Sequence, residues 1–319
     1  MQVFFDMLGR LALFALLGLP GFVLAKWGKL DDRGRGALVN LLLYVAMPFL
    51  VFKSLLETDA AALRPAEWIT CAAFPVLIVA ALVGVGLLVL REQEEKRRVC
   101  RFCATFSNCG FLGLPLAQSL FPDRPAIAVF IAIFNIVSTV LLFVVGGAML
   151  SGGKERVQWR RLLISPLTVA TAAGLLCSLL GLGQKAPDLI TFTGILAAMT
   201  TPLAMTVLGA LLATLPRRPW WRERGLWLTA LVKLILSPAI TIAVLLFLTR
   251  VCRLPIGVDA LVALLLSTAV STAASAPSMS EDHGCDPHYA AALTVGNTLL
   301  CLVTLPVVYL VFHFIFLVS

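Results

Sequence analysis

The residues of this chain best suited to chemistry are neutral amides, glycines and prolines set inside apolar stretches. Ser107-Asn108-Cys109-Gly110-Phe111-Leu112-Gly113-Leu114-Pro115 puts an amide, two glycines and a proline within nine residues. Proline removes a backbone donor and clashes with the carbonyl four residues back. Each glycine lowers the local helix preference by ~1 kcal/mol. A helix through this stretch must break, and it is expected to unwind near 109–114. Ser271-Thr272-Ala273-Ala274-Ser275-Ala276-Pro277-Ser278 repeats the interruption with small, hydroxylated residues, near 271–276. The N-terminus of a half-helix after such a break carries partial positive charge and favours an anionic group. The chemistry on offer is therefore capture of a small anion. Asn108 is the leading contact, because its amide can donate to a carboxylate; it serves equally as a cap of the freed backbone. Gly110 and Gly113 let the backbone approach a ligand closely. Pro115 is suited to begin the second half-helix, where its missing donor costs nothing. Ser275, Pro277, Asn135, Asn297 and Pro48 complete the expected substrate-binding set, and Asn135 and Asn297 serve equally as interhelical hydrogen-bond partners.

Charged candidates are few. Lys53 and Lys233 can attract an anion, although each lies near enough to a helix end to snorkel. Glu281-Asp282-His283 and Asp286 follow the second interruption and read either as a solvated turn or as a cytoplasmic gate or proton relay. No acid lies in the middle of an apolar run, where proton and sodium pathways usually place one. Cys100-x-x-Cys103 has metal-like spacing but no second pair and no nearby His, so no metal site is expected. Catalytic residues and cofactors are not expected either, since no Ser/His/Asp set, paired intramembrane carboxylates or His cluster occurs.

The elements that must position these residues follow from composition. Of 319 residues, 60% are apolar and 13% charged, against about 45–50% and 25% in soluble domains. This excludes a soluble enzyme, a disordered chain and a disulfide-rich secreted module, and leaves a polytopic membrane protein. Ten apolar runs approach the length of a membrane-crossing helix: 5–26, 37–56, 67–90, 99–121, 125–150, 162–182, 188–215, 226–249, 257–280 and 287–317. The first run lacks a basic segment before it and an Ala-x-Ala site after it, so it reads as helix 1, not as a signal peptide. The fold class expected is all-α, with ten transmembrane helices. Seventeen of the 25 Lys and Arg residues fall in the odd-numbered connections and six on the other side. The positive-inside rule then puts both termini away from the cytoplasm. The basic residues sit in short gaps and are topology signals, so no nucleic-acid partner is expected; membrane lipid is.

The prolines and asparagines carry an internal repeat. Pro75 and Pro238 are 163 residues apart, Pro115 and Pro277 are 162 apart, and Asn135 and Asn297 are 162 apart. Residues 1–150 and 162–319 then form two five-helix repeats, joined by a cytoplasmic linker at 151–161. An odd number of helices inverts the second repeat, the arrangement of many secondary transporters, and matched interrupted helices point to the binding site.

Asn40 to Leu55, with Pro48 and Lys53, resembles the second-helix motif of the auxin efflux carrier family, and Ser107 to Pro115 resembles its fourth-helix motif. Thr201-Pro202, Lys233 to Pro238, Ala276-Pro277 and Thr304-Leu305-Pro306 match in the same order, so the resemblance covers essentially the whole chain. The chain is similar to the short bacterial members described as malate or malonate permeases. The resemblance implies broken helices 4 and 9 that cross, a scaffold of helices 1, 2, 6 and 7, and a moving transport part formed by helices 3–5 and 8–10. Bile-acid sodium symporters share that architecture, but the lack of a central acidic cluster argues against their sodium coupling. The expected function is alternating-access transport of a small organic anion, a carboxylate, across a bacterial inner membrane, with any homodimer formed through the scaffold helices. The rivals are a channel or sensor on the same fold and, more remotely, a membrane-embedded enzyme.

Overall fold

The computed structural model describes residues 2–58, 63–153, 166–213 and 220–316; most of the expected linker, from 154 on, lies outside them. The described residues are helical with one isolated β-bridge and no named strand. In chain order the helices are α1 (Gln2–Lys26), α2 (Asp32–Glu57), α3 (Pro65–Val89), α4 (Glu94–Thr105), α5 (Cys109–Leu120) and α6 (Pro125–Ser151). Then follow α7 (Pro166–Leu179), α8 (Pro187–Ala213), α9 (Arg224–Val251), α10 (Val258–Ala269), α11 (Ala276–Asp282) and α12 (Pro287–Phe316). Six of these, α2, α3, α6, α8, α9 and α12, are long and apolar enough to cross a membrane. The runs at 99–121 and 257–280 are each divided in two, as α4/α5 and α10/α11.

Local chemistry starts the helices. Proline leads α3, α6, α8 and α12, where its lost donor would be unpaired anyway. The Asp31 carboxylate accepts from Gly34 N at 2.7 Å to open α2. Glu67 Oε2 accepts from Arg64 N at 2.9 Å while its Oε1 accepts from Gly257 N at 2.7 Å, fixing the start of α3 against the approach to α10.

Three prolines inside the spans share one local feature. Pro48, Pro115 and Pro238 each follow a π-helical turn, at Leu42–Ala46, Cys109–Gly113 and Leu231–Leu236. The carbonyl four residues before each proline, which an α-helix would drive into the ring, lies in that widened turn. Pro75 and Pro306 sit in uninterrupted α-helix.

Packing sorts the helices into two groups. In the first, α1 packs on α8, and α2 packs on α7 and α8. Two glycines make the α1–α8 contact backbone to backbone: a Cβ on Gly21 would lie 1.9 Å from Thr206 O, and one on Gly209 would lie 1.9 Å from Gly18 O. In the second, α3 packs on α6, α6 on α10, α10 on α9, and α4 on α3, α9 and α12. The largest buried side chains, including Phe74, Phe102, Phe106, Phe130, Phe134 and Phe312, belong to this second group. The α2–α6 and α1–α12 contacts join the two.

Candidate functional site

The two interruptions meet. Ser107 and Thr272 form the isolated antiparallel bridge. Asn108 N donates to Ser271 O at 2.8 Å, and Ala273 N donates to Phe106 O at 3.0 Å. Broken backbone in lipid must satisfy its polar groups within the protein, and here each segment does so against the other. The helix ends converge as a consequence. The C-termini of α4 and α10 reach the crossing, and α5 and α11 leave it.

The first interruption spans 106–108, earlier than the 109–114 expected from its glycines. Gly110 and Gly113 are instead absorbed into the π turn that accommodates Pro115, so α5 begins at Cys109 and Pro115 lies inside it. The second interruption covers 270–275, close to the expected stretch, and Pro277 sits in the first turn of α11.

Three helices aim polar side chains at this crossing. Lys233, from the π turn of α9, is fully buried, and its Nζ donates to Ser107 Oγ. No ion pair to Lys233 occurs among the described residues; the ionisable groups that face it are the thiols of Cys109 and Cys301. Asn297 of α12 is also fully buried, and its Nδ2 donates to Thr272 Oγ1 at 3.1 Å. Its Oδ1 has no hydrogen-bond partner among the described residues. Asn135 of α6 accepts from Cys109 Sγ at 3.0 Å. A Cβ on Gly110 would lie 3.3 Å from the Asn135 amide and 3.2 Å from Met47 Cε, so Gly110 is held between α6 and the residue before Pro48.

Hydroxyls that sequence reasoning did not single out complete the junction. Thr272 Oγ1 donates to Cys103 O at 2.8 Å, and Thr298 Oγ1 donates to Ser271 Oγ at 3.1 Å. Only the position of Thr298 beside Asn297 could have marked it. Asn108 is 4% exposed, and its side-chain amide makes no hydrogen bond to the described residues. Beside the second segment, Thr298 and Cys301 line an apolar cavity of ≈ 80 Å³ that also touches Gly18, Leu112, Met205 and Gly209. This cavity lies between the two helix groups.

Of the remaining candidates, Ser275 ends the second crossing segment and the others stand apart from it. Lys53 pairs with Glu57 at 3.2 Å and lines a separate cleft with Gln118 and Arg124. Ser275 O accepts from Met279 N at 2.9 Å at the start of α11. Glu281 and Asp282 are exposed at the far end of that helix, where His283 Nδ1 contacts Met279 O at 2.6 Å. Asp286 caps α12, accepting from His288 N and Tyr289 N at 2.8 and 3.1 Å. No group of three or more metal-ligating side chains occurs among the described residues.

A family model described as membrane transport protein matches residues 10–158 and 154–309. A protein of Rhizobium meliloti named "Putative malonate transporter" is 26% identical over 240 residues, covering 72% of this chain and 73% of that protein. An uncharacterized transporter of Methanothermobacter thermautotrophicus is 29% identical over 61% of this chain and 64% of its own length. An uncharacterized transporter of Methanocaldococcus jannaschii is 23% identical over 61% of this chain. The match spans 65% of that last protein, so for these two relatives less than two thirds of the length is covered.

Proposed function

Because the chain belongs to the membrane transport protein family, that of the auxin efflux carriers, we propose that this multi-pass membrane protein is a secondary transporter moving a small organic carboxylate by alternating access. The observation that carries the reading is the pairing of the two interrupted segments through Ser107 and Thr272. That pairing gathers two helix N-termini, the side-chain amide of Asn108 and the Nζ of Lys233 at one buried point. Partial positive charge at the helix ends, and the charge Lys233 carries when protonated, favour an anion there. Asn108 supplies the directional donor that a carboxylate needs.

In this reading the chain crosses the membrane ten times, as two inverted five-helix repeats, with both termini away from the cytoplasm of a bacterial inner membrane. The scaffold is α1, α2, α7 and α8, and the transport part is α3–α6 with α9–α12. The division is supported by the two packing groups and by the apolar cavity between them. The scaffold face is closed backbone to backbone at Gly21 and Gly209, which suits a rigid frame. Malonate is the first substrate to try, on the strength of the name of the Rhizobium meliloti relative.

The test is counterflow. Proteoliposomes loaded with unlabelled malonate and diluted into labelled malonate should accumulate label transiently above equilibrium. A monotonic approach to equilibrium would identify a channel and overturn the carrier reading.

A further inference from the structure

Resting on the carrier reading, we propose that Lys233 couples transport to protons: its amine takes up a proton from water as the carboxylate binds and returns it to water when the carboxylate leaves. The argument begins with what surrounds the amine. Lys233 is fully buried at the crossing, and its one hydrogen-bond partner among the described residues is a hydroxyl, Ser107 Oγ. A buried ammonium is costly unless it is paired with an opposite charge.

The acids on the elements packed against the π turn of α9 are engaged elsewhere or lie at helix ends. Glu67 of α3 accepts from Arg64 N and Gly257 N, and Asp259 of α10 pairs with Arg124. Glu94 of α4 pairs with Arg98, and Glu95 lies beside it in the first turn of that helix. Glu223, just before α9, pairs with Lys96. From α5 and α12 the ionisable groups facing Lys233 are the thiols of Cys109 and Cys301.

A carboxylate arriving beside Asn108 supplies the missing opposite charge, so anion and proton stabilise one another. When the anion leaves, a neutral amine remains satisfied. It and the Ser107 hydroxyl can exchange donor and acceptor roles, which an ammonium cannot do because it only donates. No redox partner or further reactant is needed. The proton adds to the nitrogen lone pair and leaves from it, so the empty site carries neither charge across the membrane and the loaded site carries both.

The test is calorimetric. Malonate is titrated into the purified full-length protein at pH 8, in two buffers of different ionisation enthalpy, and the difference gives the protons taken up. An ordinary lysine, with pKa near ~10.4, is already charged at pH 8 and takes up none. The proposal expects a clear fraction of one proton taken up per malonate bound. Lys233→Arg, whose guanidinium stays protonated, should bind malonate with no proton uptake. Wild-type binding without proton uptake would overturn the coupling while leaving the carrier reading intact. Proton uptake that persists in Lys233→Arg would also overturn it, by moving the proton to another group. If malonate and a panel of C3–C6 carboxylates all fail to bind the wild type, the carrier reading fails and the coupling falls with it. Should Lys233→Arg not fold, the wild-type titration alone decides.

Discussion

The two crossing segments are unequal. The second, 270–275, has its side chains engaged: Ser271 accepts from Thr298, while Thr272 donates to Cys103 O and accepts from Asn297. The first, 106–108, is shorter, holds the buried Nζ of Lys233 on Ser107, and leaves the Asn108 side-chain amide without a hydrogen bond among the described residues. Both are pinned by the same backbone bonds, so the difference lies in the side chains. The second segment's side chains brace the crossing; on the proposed carrier reading, the first offers its donors to the substrate. The inequality extends to the helices behind them. Pro75 and Pro238 occupy equivalent places in the sequence repeat, yet α3 runs straight through its proline, whereas α9 widens into a π turn that carries Lys233. Such turns are frequent at functional sites.

Breaking the first segment's charge should have the largest effect. Lys233→Met removes the cation facing the site; losing one partner of a buried pair costs about 3–5 kcal/mol, so malonate affinity should fall more than about a hundredfold. The empty protein loses a buried amine whose hydrogen bond is to a single hydroxyl and gains an apolar side chain of similar length, so its melting temperature should hold or rise. A fall in melting temperature with affinity intact would make Lys233 a structural residue. Next is Asn108→Ala, which removes one hydrogen bond to a charged group, about 1.5–3 kcal/mol. Affinity should drop roughly ten- to more than a hundredfold, with melting unchanged because the amide holds nothing in the empty protein.

The second segment should behave the opposite way. Thr272→Val strands Cys103 O and Asn297 Nδ2, each a buried group costing about 1–3 kcal/mol when unpaired. Thermal melting should show the loss, while malonate affinity stays within a few-fold. The smallest effect belongs to Lys53→Gln. Its pair with Glu57 is part-exposed at 27% and 33%, and such pairs contribute about 0–1 kcal/mol. Affinity and stability should both stay near wild type; a tenfold loss of affinity in a binding titration would draw the outer cleft into the site.

Much of this arrangement was legible in the sequence, because prolines, glycines and amides inside apolar runs have few structural explanations. The stretches at Ser107–Pro115 and Ser271–Ser278 marked both interruptions, and the offset of 162 between Pro115 and Pro277 marked them as a pair. The location of the first break was not legible. A π turn has no sequence periodicity of its own, so Gly110 and Gly113 looked like the break when they belong to the turn beside it. The state of Lys233 was also hidden. Near the start of a span a lysine can snorkel, and only its pairing with Ser107, 126 residues earlier, buries it. Asp286 read either as part of a solvated turn or as a gate or relay acid; its local role as the cap of α12 follows from the Asp-Pro-His-Tyr order, in which the carboxylate meets the two donors after the proline.

The central claim is that the first segment binds and the second braces. It is tested most directly by titrating malonate into Asn108→Ala and Thr272→Val side by side and melting the same samples without ligand. The account predicts that Asn108→Ala loses affinity at wild-type melting temperature and that Thr272→Val loses melting temperature at near wild-type affinity. The reverse pattern, or equal losses in both variants, would contradict it.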